Sequence, residues 1–400
     1  MERVLLVATM DTKGHEAAYL KSSLEKRGVP VLVLDAGIRG KSPFPVDMDR
    51  ETVARTGGMS LREVQGIGHE GKALDVMIRG AVQCALDAYR AGHFHGIIGI
   101  GGSMGTTLCS SVMRSFPVGL PKVMISTMAS RDTRAFVGTK DICMLHSVCD
   151  ISGLNRITRR ILHNGAMAMA GMIHHPAEAV FVERPMVFIT TLGTTEICAQ
   201  RVKDALTREG REVVVFHTVG AGGKAMEEMV EEEEVAAVLD LSLHEIADHM
   251  FGGDYDAGPD RGAAALEKGV PTVLVPGNMD FLVTGPLSIA QQRFPNRAWH
   301  SHNAAITTVR TSRDELRTLA RAFARLCNAA KGPLNVFIPM GGFSAFDRID
   351  GPLYDPEGPG LFAEVVQQTL HDPSGLRLLP CHINDPEFSE ALIQALKQSI

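Results

Sequence analysis

The chain is poor in aromatic residues, 5% in all with a single tryptophan, and it has no surplus of basic charge. Its 40 Lys and Arg stand against 46 Asp and Glu, a net charge of −6. Without a basic stripe or a row of stacking rings, nucleic acid is not an expected partner. No apolar run reaches the length of a membrane span, so no membrane is expected either. The opening residues MERVLLVATMDTKG lack a basic leader and a cleavage site, and read as a buried strand instead of a signal peptide. Seven cysteines, scattered and never spaced CxxC, argue against a disulfide frame or zinc ribbon and for a reducing cytoplasm. HExxH and G-x-x-x-x-G-K-[ST] are missing, and a triad hydrolase is not expected.

What is present repeats itself. RVLLVATMDTKGHEAAYLKSSLEKRGVPVLVLDAG from Arg3 runs without a gap over PMVFITTLGTTEICAQRVKDALTREGREVVVFHTVG from Pro185. Thr9 falls on Thr191, Thr12 on Thr194, Leu24 on Leu206, Gly28 on Gly210 and Val33 on Val215. Each copy reads as strand, polar loop, amphipathic helix, glycine stop and second strand, a βαβ unit with continuous apolar strands. A weaker echo sets GIIGIGGSMGTT and PKVMISTMAS over AAVLDLSLHEIADH and PTVLVPGNMD. The expected fold is α/β: two Rossmann-like lobes with parallel sheets, related by an internal βαβ repeat. The domains are placed at 1–178 and 186–400, with the boundary in 174–185, and further strands at 334–340 and 376–383.

Ligands of open parallel sheets sit at the carboxyl ends of the strands, so the loops there carry the candidates. In GIIGIGGSMGTTLCSSVMRS a strand leads into Gly101, Gly102, Ser103, Gly105 and Thr106, with a helix expected from about Thr106 to Ser115. Glycines admit an anion close to backbone N–H groups and the helix start adds partial positive charge, although a plain tight turn explains the same residues. Thr127 and Ser130, in STMASRDTR, add hydroxyls nearby. Asp35 ends a strand where a ribose hydroxyl is often held, or caps a turn. Asp11 and Thr12 suit a helix start, and Lys13 could reach a phosphate.

The second lobe looks more like a reaction site. His217 precedes a glycine cluster with Gly222 and Gly223, a second candidate anion nest. His244 and Glu245 share a helical stretch, and Asp280 and His302 complete the candidate acid/base groups. Arg261 is the candidate anchor for a carboxylate or phosphate. Asn278, Gly342 and Ser344 are further substrate candidates. His300 and His302 alternate in an extended segment, as metal ligands or as ordinary surface histidines.

With VGTKDICMLHSVCDISGLN behind the glycine loop, and DTKG, VFHTVGAGGKAMEEMV, VPGNMD and CHINDPEF elsewhere, the chain resembles the Tm-one-like ATP-binding family along essentially all its length. These are bacterial and fungal proteins of mostly unassigned activity, related to the N-terminal part of a tomato mosaic virus resistance protein. The resemblance implies two α/β domains, a homodimer or higher homo-oligomer, and ATP with Mg²⁺ in the first domain. On matching positions Gly101, Gly102, Ser103, Gly105 and Thr106 would hold phosphates, with Thr127 and Ser130 alongside. Asp11, Thr12, Lys13 and Asp35 would lie toward the nucleoside. The expected activity is that of an ATP-dependent or ATP-regulated cytoplasmic enzyme acting on a small anionic metabolite. An isomerase, carbon–carbon lyase or hydrolase without ATP, and a non-catalytic nucleotide sensor, are the alternatives.

Overall fold

The computed structural model describes residues 2–176 and 186–400. The chain divides into two compact units, residues 1–180 and 181–400. From residue 177 onward, the boundary expected at 174–185 lies outside the described residues.

Unit 1 is built on β1 (Val4–Ala8), β2 (Val31–Asp35), β3 (Gly96–Gly101), β4 (Lys122–Ser126) and β5 (Cys143–His146). They form one parallel sheet in the order β2-β1-β3-β4-β5. The first four strands are buried along their whole length, as continuous apolar runs covered on both faces must be. Helices Met10–Glu25 and Arg156–His174 pack on one face around Leu20, Leu24, Leu162 and Met169. Helices Glu70–Arg90 and Ser103–Arg114 pack on the other around Met77, Ala81, Leu108 and Val112.

Unit 2 uses β6 (Met186–Thr191), β7 (Glu212–His217), β8 (Val235–Ser242), β9 (Thr272–Gly277), β10 (Phe281–Thr284), β11 (Trp299–Ser301), β12 (Thr307–Arg310), β13 (Leu334–Pro339) and β14 (Leu376–Leu379). Its parallel sheet runs β14-β13-β9-β8-β6-β7. Counted within this sheet alone, its first five strands, β6, β7, β8, β9 and β13, therefore take the order 2-1-3-4-5 of unit 1. The repeat holds in topology as well as in sequence, and its weaker echo falls on β3 and β4 against β8 and β9. The antiparallel sheet β10-β12-β11 was not foreseen.

Each parallel sheet changes direction at one place. The helix after β1 lies on one face of sheet one and the helix after β3 on the other. In unit 2 the helices Glu196–Arg208 and His244–Phe251, which follow β6 and β8, divide in the same way. The loops leaving such a strand pair open a crevice at their carboxyl ends.

All seven cysteines are free thiols among the described residues, and Cys109, Cys198 and Cys327 are buried. Burial pushes each of these three up to about 12. No helix among the described residues is long and apolar enough to cross a membrane.

Candidate functional site

The crevice of unit 1 is an open cavity of about 490 Å³. Thr9, Asp11, Thr12 and Lys13 enter it from the turn and helix start after β1, and Gly102, Ser103, Met104 and Gly105 from the turn and helix start after β3. The helix here starts at Ser103, three residues earlier than the sequence suggests, with Gly102 at its cap position and no side chain capping it. Its first-turn N–H groups thus face the cavity as open donors. Gly101 has another role: a Cβ there would stand 2.6 Å from Gly105 Cα, so the strand end and helix start can touch only without one. Gly102 has room, with Thr127 Oγ1 at 3.9 Å as the nearest atom to an added Cβ.

GGSMG also has the G-x-S-x-G spacing of a nucleophile elbow, although no triad hydrolase is expected from the sequence. The structure builds no elbow from it. Ser103 is not among the residues at positive φ, and no histidine hydrogen-bonds its hydroxyl among the described residues.

Other expected ligand groups are placed differently. Asp35 does not line the cavity: it is buried, and its Oδ1 accepts from Met10 N at 3.1 Å and Gly37 N at 2.8 Å. Burial raises its pKa against those two bonds. This carboxylate ties the loops after β1 and β2 together, which corrects its assignment to a ribose. Thr106 is likewise internal, 2.6 Å from Ser126 Oγ. Thr127 is half-buried and Ser130 exposed, both off the cavity wall. Asp11 does reach it, and its Oδ2 takes N–H groups of Ile38, Arg39 and Gly40 at 3.0, 2.8 and 3.4 Å. Lys13 stands at a kink in its helix and gives one of its three protons to Ile151 O. Thr12 Oγ1 lies 2.8 Å from Thr9 Oγ1.

The opposite wall comes from residues 38–74, with Ile38, Val64, Ala73 and Leu74 apolar and Arg39, His69 and Glu70 polar. None of the last three was singled out: Arg39 lies in the loop after β2, where only Asp35 stands out as a candidate, and His69 and Glu70 follow no strand end. Only the GIGHEGK run, a His–Glu pair between glycines, marks the place in sequence.

In unit 2 the structure overturns several assignments. Arg261 is buried and its donors are all taken. Nε donates to Glu245 Oε2 at 2.7 Å, Nη1 to Asp240 Oδ2 at 2.6 Å and Glu227 Oε1 at 3.0 Å, and Nη2 to Asp240 Oδ1 at 2.7 Å and Ser242 O at 3.0 Å. It anchors three carboxylates of its own chain, not a substrate. Glu245 in turn fills the glycine nest, its Oε1 accepting from Gly220 N at 2.6 Å and Gly223 N at 3.2 Å. A Cβ on Gly223 would fall 1.7 Å from Glu245 Oε2, and one on Gly222 1.9 Å from His217 O. Both glycines serve packing. Burial raises the pKa of Glu245 and of Glu227 while Arg261 opposes it.

Asp280 is buried, accepts from Ser344 Oγ at 2.6 Å and lies 3.6 Å from Arg310. Arg310 itself pairs with Asp347 at 2.9 Å. Gly342, at φ +126, packs against Asp347 O and makes the turn that brings Ser344 there. Asn278, at φ +62, joins Thr194, Ser242 and Thr195 in a buried chain that His244 completes. His217 is exposed at the end of β7. His300 packs on Phe346 with ring centroids 4.6 Å apart, and His302 is exposed in the turn beyond β11. No group of three or more His, Cys, Asp or Glu is placed to hold a metal ion among the described residues.

Comparison with known proteins decides the family. Residues 2–178 match the N-terminal domain, and residues 184–400 the C-terminal domain, of the uncharacterised protein family UPF0261. The chain belongs to UPF0261. A UPF0261 protein of Clostridium tetani is 36% identical over 396 residues, 99% of this chain and 98% of that one. One from Mesorhizobium japonicum is 36% identical over 394 residues, 98% of each. The ToMV resistance protein Tm-1 of Solanum lycopersicum is 33% identical over 417 residues, which is 98% of this chain and 55% of the tomato protein. Among solved structures, MurG of Acinetobacter baumannii aligns along both whole chains at 10% identity and a TM-score of 0.24, too low to carry an argument. The resemblance to the Tm-one-like family is thereby shown.

The buried ionisable groups give this UPF0261 chain a definite acid response in unit 2. Burial, followed by the charges of Arg261 and His217, pushes His244 down to about 3 from its ordinary 6.5. A histidine depressed on folding stabilises above its ordinary value, and that contribution is lost as pH falls toward 3, by about 1.4 kcal/mol per unit. Burial pushes Asp280 up to about 7 and Asp248 up to about 8 from their ordinary 3.8, so their contributions are instead full below that ordinary value and lost progressively as pH rises from it to about 7 and about 8. Denaturant melts of unit 2 between pH 6.5 and 4 should show an acid limb shallower by about 1.4 kcal/mol per unit in His244→Phe. An unchanged limb would mean that His244 is already protonated in the fold.

Proposed function

We propose that unit 1 binds a nucleotide, ATP with Mg²⁺, with its phosphates on the start of the helix Ser103–Arg114. The single observation behind this is the uncapped helix start, with Gly102 bare, opening into a 490 Å³ cavity at the crevice of a parallel sheet. A cavity of this size is of the order that small ligands occupy. The residues present fit the group. Helix N–H donors and Lys13 suit phosphate, Asp11 offers Oδ1 to Mg²⁺ beside the Oδ2 held by three N–H groups, the exposed Arg39–Glu70 pair at 3.0 Å would part to serve either charge, and Val64, Ala73 and Leu74 offer an apolar surface to a base.

In this reading the protein is an ATP-dependent or ATP-regulated enzyme, homodimeric and cytoplasmic, and unit 2 carries the substrate. The anion legible in the sequence is then the nucleotide's phosphate, because Arg261 and the nest of unit 2 are already filled. The antiviral role in the tomato relative's name stays with that protein. Calorimetric titration of the full chain with Mg-ATP should give saturable binding at one site per chain, weakened by Lys13→Ala. Absence of any heat with Mg-ATP, ADP or GTP would overturn the reading.

A further inference from the structure

The crevice of unit 2, between the loops after β6 and β8, contains a hydrogen-bond chain whose direction can be derived. A carbonyl only accepts, so Thr218 Oγ1 donates to Thr191 O at 3.0 Å. Ser242 Oγ, 2.8 Å from Thr218 Oγ1, must then donate to it. With its one proton committed, Ser242 can only accept from its two other neighbours. Those are Asn278 Nδ2 at 2.8 Å and His244 Nδ1 at 3.3 Å. The proton of His244 therefore sits on Nδ1. Nε2 of a neutral ring so protonated is a bare acceptor, and here it is fully buried with no partner. Burial keeps the ring neutral at pH 7. A buried polar atom left unpaired costs about 1–3 kcal/mol, a cost that persists where function uses the atom.

The repeat adds a second observation. Val7 pairs with Gly99 in unit 1 and Ile189, its counterpart, with Leu239 in unit 2. Counted on from that pair, His244 stands where unit 1 places Met104, on the wall of the open cavity. We infer that His244 Nε2 anchors a ligand site of unit 2, taking a neutral polyol that donates one hydroxyl to it. This deepens the reading that unit 2 carries the substrate, and it does not depend on a nucleotide in unit 1.

Charge sets the ligand class. The guanidinium of Arg261 has all its donors taken within the chain, and that of Arg310, although its Nε has no partner, has its charge met by Asp347 at 2.9 Å and Asp280 at 3.6 Å, which leaves neither as a free cation for an anion. Glu245 is occupied by Gly220, Gly223 and Arg261, and Asp248 by the N–H groups of Val283 and Tyr255, while Asp280, whose Oδ1 has no partner, already faces the Arg310 cation, so an ammonium finds each of these carboxylates beside a cation or N–H groups of the chain. The rings of Tyr255 and Phe281, each 5.9 Å from His244, offer flat surfaces to the C–H face of a polyol. Tyr255 stands edge-on to the His244 ring. The segment carrying it is bounded by Gly252 at φ +77 and Gly258 at φ +92.

The test is two-bond ¹H–¹⁵N NMR of the full chain labelled at histidine, at pH 7 and without nucleotide. His244 is assigned from His244→Phe or, should that variant not fold, from Ser242→Ala. Glycerol, erythritol, ribitol and myo-inositol are titrated, with inorganic phosphate and ammonium as charged probes. The expected result is an Nδ1–H ring with bare Nε2, and a saturable shift of Nε2 by at least one polyol, whose affinity, measured by calorimetry, falls tenfold or more in His244→Phe. An Nε2–H ring, a response to phosphate or ammonium alone, or no response to any probe overturns the inference. Because no nucleotide is present, loss of ATP binding in unit 1 would leave this result standing.

Discussion

Gly102→Val is expected to weaken Mg-ATP binding at least about 100-fold, about 2.7 kcal/mol, while the melting temperature of unit 1 stays unchanged. Both halves follow from the loop. Gly102 has an ordinary negative φ of −79 and nothing closer than 3.9 Å to an added Cβ, so the fold loses little by the substitution. The isopropyl group would instead stand over the first-turn N–H groups, where phosphate oxygens must come within about 3 Å. Gly101→Ala is the contrasting variant. Its Cβ meets the Gly105 backbone at 2.6 Å, and it should lower stability whatever the ligand. Calorimetry paired with thermal melts separates the two. If Gly102→Val binds Mg-ATP as wild type does, the phosphates lie elsewhere; if it melts early, the glycine is structural.

Arg261→Met is expected to destabilise unit 2 by about 3–5 kcal/mol, since removing one partner of a buried ion cluster strands the others. Asp240 and Glu245 are buried, and Arg261 contacts both together with Glu227. Their charges would have to be neutralised or hydrated, and Glu245 would no longer be steadied beneath Gly220 and Gly223. Adding Glu245→Gln should recover part of the loss, because one stranded charge is removed while an acceptor for the two N–H groups remains. Denaturant unfolding measures both. A substrate-anchoring Arg261 would give the opposite pattern, with unchanged unfolding and lost binding.

Arg261 and Glu245 also show where sequence reasoning stops. The parallel strands were legible because a sheet covered on both faces needs unbroken apolar runs such as VLLVA, GIIGI and VLVPG. The repeat was legible because Thr9 and Thr12 recur at Thr191 and Thr194 in constant register. A glycine nest and an arginine are equally visible, but not their occupants. Glu245 lies 22 residues from Gly223, and no spacing rule relates a carboxylate to a nest filled through tertiary packing. The strands β10 to β12 are short and mixed with Thr, Arg and His, so alternation never ran long enough to declare them. The far wall of the unit 1 cavity was missed for a related reason: His69 and Glu70 belong to a segment between β2 and β3, away from every strand end.

The three buried thiols make the two units separately countable. An alkylating reagent reacts with thiolate, and a thiol held at about 12 inside a packed unit offers almost none at neutral pH. Cys109 is enclosed in unit 1, with Sγ 3.3 Å from Val7 O, while Cys198 and Cys327 are enclosed in unit 2. Each becomes reactive only when its own unit opens, so pulse labelling read by peptide mass spectrometry gives two opening rates from one sample. In Arg261→Met the label should appear early on Cys198 and Cys327 and late on Cys109. With Mg-ATP present, Cys109 alone should slow.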